Sequence, residues 1–208
     1  KHNRLARLVD IGLHLSADKQ TTADCLHCLS NLRKRPEVFF SCDPKDLALI
    51  LDALAERCDG DGKLVAALAA ELAGFAEVAR NHRDRSLYFT NATLEMIFKF
   101  PMIQVSAQPQ TVKEIFKFVG NLAKFEYLDI IQRHEFALFE VLELFLMNNK
   151  DPEVITELNN SLCMMSKLSM NYNEKISQIA IPRVIQQARD NWQDRVFILR
   201  ATELINSI

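Results

Sequence analysis

A short helix-ending phrase returns along this chain at a nearly constant interval. It reads Leu29-Ser30-Asn31-Leu32, Val119-Gly120-Asn121-Leu122 and Met165-Ser166-Lys167-Leu168, with a degenerate copy at Ala73-Gly74-Phe75. The last residues stand at 32, 75, 122 and 168, in steps of 43, 47 and 46. A period of roughly 40–47 residues built from helices alone is the signature of stacked helical repeats. Each unit is too small to bury its own apolar face, so neighbours share one elongated core. The expected fold is therefore all-α: a right-handed α-solenoid of about 4–5 helical repeats. It would form one domain over residues 1–208, with an internal break near 104–110.

Composition narrows the class of work. With 49% hydrophobic and 25% charged residues, the 208-residue chain has the balance of an ordered protein. Only 5 Gly and 6 Pro are present, few for a fold of many turns and strands. A net charge of −2 argues against a protein held to nucleic acid by bulk positive charge, though a local basic patch is compatible with it. The five cysteines, at 25, 28, 42, 58 and 163, form no disulfide framework, and a reducing intracellular compartment, cytoplasmic or mitochondrial, is expected. No apolar run of membrane-spanning length occurs, and no membrane association is expected. The start at Lys1-His2-Asn3-Arg4 carries no Met, consistent with an excised fragment or a processed chain.

Periodicity and caps predict about eleven helices and no strand. Helices are expected near 3–15 and 22–34, from 43 to the Asp59-Gly60-Asp61-Gly62 turn, near 62–80 and 86–100, from 111 to an end in Gly120-Asn121-Leu122, and near 126–133, 135–148, 151–170, 173–188 and 192–206. Asp43-Pro44 and Asp151-Pro152 are cap-plus-proline starts. Thr111-Val112-Lys113-Glu114 reads as a capping box, Pro101 as an end or a kink, and Pro182 as an interruption. The last helix carries Val196, Leu199, Leu204, Ile205 and Ile208 without a polar cap, as though further helices dock there.

Cys28-Leu29-Ser30-Asn31-Leu32 and Phe118-Val119-Gly120-Asn121-Leu122 resemble the A-L-x-N-L phrase of armadillo repeats, and Asn160 to Gln187 is similar to an armadillo third helix followed by the next repeat's first two. The pattern of small and apolar residues fits HEAT repeats as well. A second resemblance, carried by Lys45 to Gly74, is to the helix pairs of organellar RNA-processing repeat proteins of the octotricopeptide and FAST-like kinds. The armadillo resemblance implies that Asn31 and Asn121 hold a partner's extended backbone, since an amide offers both donor and acceptor. The chain departs from that pattern at Gly74 and Lys167. The plainer reading is that these asparagines cap helix ends or face water.

Two basic clusters, Arg33-Lys34-Arg35 and Arg80-Asn81-His82-Arg83 with Arg85, follow the same element of their repeats. They are candidates to bind phosphate or an acidic partner, or simply to offset helix dipoles. Cys25-Leu26-His27-Cys28 is half of a zinc knuckle with no second half, and buried thiols are the expectation. Phenylalanines at 98, 100, 116, 118, 125, 136, 139 and 145 read as core shared between repeats; the alternative, since both sides of the 115–118 helix carry Phe, is that one ring there is exposed or meets a partner. There is no P-loop, GxSxG or HExxH, so no catalytic residue, cofactor or metal site is expected. The expected function is a non-catalytic scaffold that binds a protein partner within a multi-subunit assembly, without a small-molecule substrate. The alternative is an RNA-binding or ribonucleoprotein-assembly repeat protein of organellar, mitochondrial RNA processing.

Overall fold

A computed structural model describes residues 18–58, 60–103, 108–148, 151–190 and 192–208, and these residues are helical with no strand among them. The helix expected at 3–15 and most of the stretch expected as a linker lie outside the described residues. The chain divides into two compact units, residues 1–107 and 108–208.

In the first unit α1 (Lys19–Arg33), α2 (Pro36–Phe39), α3 (Pro44–Cys58) and α4 (Gly62–Val78) are followed by two 3₁₀ turns, Ala79–Asn81 and Arg85–Tyr88, and by α5 (Asn91–Ile103). The second unit holds α6 (Pro109–Lys124), α7 (Leu128–Arg133), α8 (Glu135–Asn148), α9 (Pro152–Ser166), α10 (Met170–Asp190) and α11 (Arg195–Ser207).

Helix starts carry the repeat more regularly than helix ends. Asp18 caps α1 and Asp61 caps α4, 43 residues later. Gln108, Asp151 and Asp194 precede α6, α9 and α11, again in steps of 43. Each of the four aspartates accepts backbone N–H groups of the first turn, which otherwise have no helical partner.

These helices pack as parallel neighbours within each unit. α1 lies on α4, tied by Lys19 to Asp61 at 2.6 Å near their starts and by Arg33 to Glu71 at 3.2 Å near the end of α1. α6 lies on α9, and α9 on α11. Lys113 pairs with Glu153 at 2.7 Å near the helix starts, and the Ser166 and Ser207 hydroxyls meet at 3.0 Å at the ends. A second layer of the latter unit joins α8 to α10 through Glu135 with Lys175, and Phe139 stacked on Tyr172 at 6.0 Å. In the first unit Asp52 of α3 accepts hydroxyl bonds from Thr90 and Thr93 at the start of α5.

Close approach sets the α6–α9 contact. The Ser161 hydroxyl donates to the Phe116 carbonyl at 2.5 Å, and a Cβ on Gly120 would stand 3.2 Å from Ser161 Oγ and 3.6 Å from its Cα. Both faces of α6 are consequently covered: Phe116 and Phe118 are fully buried, so neither ring of that helix meets solvent. At the end of α6, Glu126 takes φ 57 where glycine is usual, and Tyr127 N–H reaches the Leu122 carbonyl in a Schellman turn.

Several boundaries depart from expectation. α5 begins at Asn91 instead of 86, because the Thr90 hydroxyl accepts the Thr93 N–H and the segment before it winds as a 3₁₀ turn that buries Tyr88. The capping box at Thr111 does not form. Pro109, preorganised for a first helical turn, starts α6 earlier and leaves Thr111 buried inside that turn. α10 runs through Pro182 without interruption, anchored on both sides by the buried Ile176, Ala180 and Val184.

Replacing Gly120 by valine forces α6 and α9 apart. We expect a loss of about 1–3 kcal/mol in urea unfolding, the usual cost of overpacking a filled contact. Asp61 gives a pH-dependent counterpart. Its carboxyl is held below the ordinary 3.8, chiefly by the Lys19 hydrogen bond and further by the N–H groups of Leu64 and Lys63. The folded carboxyl binds a proton more weakly than the unfolded one, so its contribution is complete above 3.8 and fades as pH falls through the lower folded value. The gap in urea midpoint between the natural chain and Asp61→Asn should hold from about pH 7 to 5 and shrink below 3.8.

Candidate protein-binding surface

Packing leaves one ridge of α1, α6 and α9 exposed or half-buried, while α4 is buried along most of its length between Leu64 and Ala76. On α1 it carries Asp24, His27 and Asn31; on α6 it carries Gln110, Glu114, Lys117, Asn121 and Lys124; on α9 it carries Glu153, Glu157, Asn160, Met164 and Lys167. Their spacing of three and four residues is that of a single helix face. In the second unit the ridge is acidic where helices begin and basic where they end, the arrangement helix dipoles favour.

Asn31 and Asn121 occupy the same place on this ridge, 13 residues past Asp18 and Gln108 respectively. Asn31 is exposed and accepts from Lys34 Nζ at 3.5 Å, while Asn121 is half-buried. At the equivalent position of α4 stands Gly74, and the guanidinium of Arg33 lies directly over it. The glycine opens the room, and Arg33 fills it on the way to Glu71, which is only 8% exposed.

The structure thus divides the first basic cluster. Arg33 is spent inside the unit. Lys34 and Arg35 face outward and, with Asn31, Cys28, Leu32 and Val38, line an open pocket of about 570 Å³ at the end of α1. The second cluster follows the end of α4, where Arg80 and Arg83 are exposed and Arg85 donates to the Arg80 carbonyl at 2.7 Å. Since α1 and α4 run parallel, both clusters lie toward the same end of the unit. The His82 ring also stacks on Phe40, beyond α2, at 5.4 Å and 8°. Beneath them Phe39 stacks on Tyr88 at 5.2 Å and meets Phe75 edge-on at 5.0 Å. Exposed carboxylates at Glu37, Glu77 and Asp84 interrupt the positive charge.

Cys25, Cys42, Cys58 and Cys163 are buried and Cys28 is exposed. Burial pushes the Cys58 thiol up to about 12 and raises Cys25 and Cys42, so these thiols stay protonated at neutral pH. Among the described residues no three His, Cys, Asp or Glu side chains are grouped to hold a metal ion, and no helix is long and apolar enough to cross a membrane.

Phe136, expected as shared core, is 81% exposed, and Phe139 is half-buried. The sequence held the signal. Phe136, Glu140 and Glu143 share one helical face, while Leu138, Val141 and Leu142 form the buried one. On α11, Leu204 is buried with Phe197 and Ala201, whereas Val196, Leu199 and Ile205 remain exposed.

No protein-family model, curated protein or solved structure matches this chain.

The division of the first cluster has a measurable consequence. Arg33→Ala should destabilise the fold by about 1–3 kcal/mol in urea unfolding, because it strands the buried Glu71. Arg35→Ala, on the rim of the pocket, should stay within about 0.5 kcal/mol of the natural chain.

Proposed function

We propose that this chain is a non-catalytic scaffold, a right-handed α-solenoid of armadillo- or HEAT-like repeats that binds a protein partner within a larger assembly. The observation that carries this reading is the set of parallel helices within each unit, begun 43 residues apart at 18 and 61 and again at 108, 151 and 194, with polar side chains left at least partly open on α1, α6 and α9. Five such starts, at 18, 61, 108, 151 and 194, fit about five repeats. Ridges repeated from helix to helix within a unit offer side-chain donors and acceptors suited to an extended or broad protein partner. Asn31 and Asn121 belong to this ridge, and neither is needed to fill the core.

A second reading, assembly with RNA, is favoured by one observation: the two basic clusters of the first unit share an end, with Lys34 and Arg35 facing outward. The acidic residues between them weigh against direct phosphate binding.

Affinity purification from native extract with mass spectrometry, with and without nuclease, separates the two. The scaffold reading expects protein partners that survive nuclease and fall about tenfold or more in recovery with Lys117→Glu/Asn121→Ala, both ridge changes outside the core. Recovery that collapses with nuclease and with Lys34→Glu/Arg35→Glu, yet ignores the α6 ridge, would establish the RNA reading instead.

A further inference from the structure

The second unit holds an open groove of about 790 Å³ between α8 and α10, closed at one end by α7. Its floor is apolar: Phe139 and Ile179 are half-buried, and Phe136 rises from the rim 81% exposed. A phenylalanine this open forfeits most of what burial of its ring would contribute, and an exposed aromatic beside a groove is a common anchor point for a partner.

Charge decides what kind of partner fits. Three carboxylates, Glu135, Glu140 and Glu143, line the groove against two cations, Arg133 and Lys175. Lys175 is already committed, paired with Glu135 and with its ammonium 5.7 Å from the centre of the Phe139 ring. Glu140 and Glu143 are exposed one turn apart, in line with Phe136, and make no ion pair among the described residues. The unspent charge of this groove is therefore negative and lies along the same face as its exposed ring. A segment with apolar side chains on one side and lysine or arginine beside them satisfies both features. An acidic or uniformly polar segment satisfies neither.

We infer that the groove between α8 and α10 docks a basic amphipathic segment of a protein partner. Its apolar side chains cover Phe136, Phe139 and Ile179, and its cations meet Glu140 and Glu143. This deepens the protein-binding reading and rests on it. A helix laid in a groove buries anchors three and four residues apart, which matches the spacing of Phe136, Glu140 and Glu143 along α8.

The test titrates the full chain with a short fluorescent peptide of amphipathic Leu/Lys pattern, beside a Leu/Glu peptide of the same pattern and a Ser/Lys peptide of the same charge. The Leu/Lys peptide should bind at least about tenfold more tightly than either control, with affinity falling as salt rises. Phe136→Ser and Glu140→Lys/Glu143→Lys should each weaken it about tenfold or more, and the charge-reversed chain should take the Leu/Glu peptide in its place. All three substitutions are at exposed positions, and unchanged circular dichroism shows that the fold persists. Equal binding by the natural chain and both variants overturns the inference, as does a Ser/Lys peptide that binds as tightly as the Leu/Lys one. Failure here with partner capture intact removes the groove and leaves the scaffold. Success here with no protein partner captured from extract removes the scaffold and leaves the groove a peptide site.

Discussion

Within each unit, the stacking of α1 on α4, of α6 on α9 and of α9 on α11, each pair begun 43 residues apart, is the constraint on which the rest depends. A helix pair of this size has an apolar stripe too wide for its partner alone to cover, so further burial comes from the next helix packed beside it. In the second unit the approach of α6 to α9 is close enough that a Cβ at 120 would crowd Ser161 and a serine hydroxyl reaches the backbone of the neighbouring helix. Side-chain bonds between different helices obey the same register, joining residues 34 to 45 apart. Register, once fixed, leaves a polar face of α1, α6 and α9 at least partly open to solvent.

Charge is sorted by that geometry into two populations. Lys19, Arg33, Lys113 and Lys175 are held by carboxylates one repeat away, and they fasten helix to helix. Lys34 and Lys124, both exposed, lie at the ends of α1 and α6, where dipoles favour positive charge. Ion pairs open to water contribute little to stability. Arg33 with Glu71 differs, because the carboxylate is nearly buried and the guanidinium also covers Gly74. One arginine of a run of three thus serves the fold while its neighbours remain available at the surface.

The same sorting separates core aromatics from surface ones. Phe39, Phe75 and Tyr88 interlock in the first unit, and burial lifts the Tyr88 phenol to about 12, so it stays neutral across the physiological range. Phe136 takes no part in any such cluster among the described residues. Its exposure beside carboxylates is a surface property with a cost, of the sort that binding surfaces carry and cores do not.

The sequence by itself determined the all-helical character and the helix starts at Asp43-Pro44 and Asp151-Pro152, and it carried a helix-ending phrase returning every 43 to 47 residues. These follow from local chemistry: caps, proline placement and a 3.6-residue period act within a few residues of themselves. The sharper form of the repeat, in Asp18, Asp61, Asp151 and Asp194, was also present in the sequence, hidden because a lone aspartate is a weak signal until its helix is seen. Tertiary structure alone decided which members of equivalent runs face outward. Arg33 turns inward only because Gly74 of another helix leaves room and Glu71 waits beside it. Phe116 and Phe118 are both buried on α6, while Phe136 on α8, the same residue type, stands in water. Burial is a property of what lies across the contact, and the neighbour across it is some 43 residues distant in the chain.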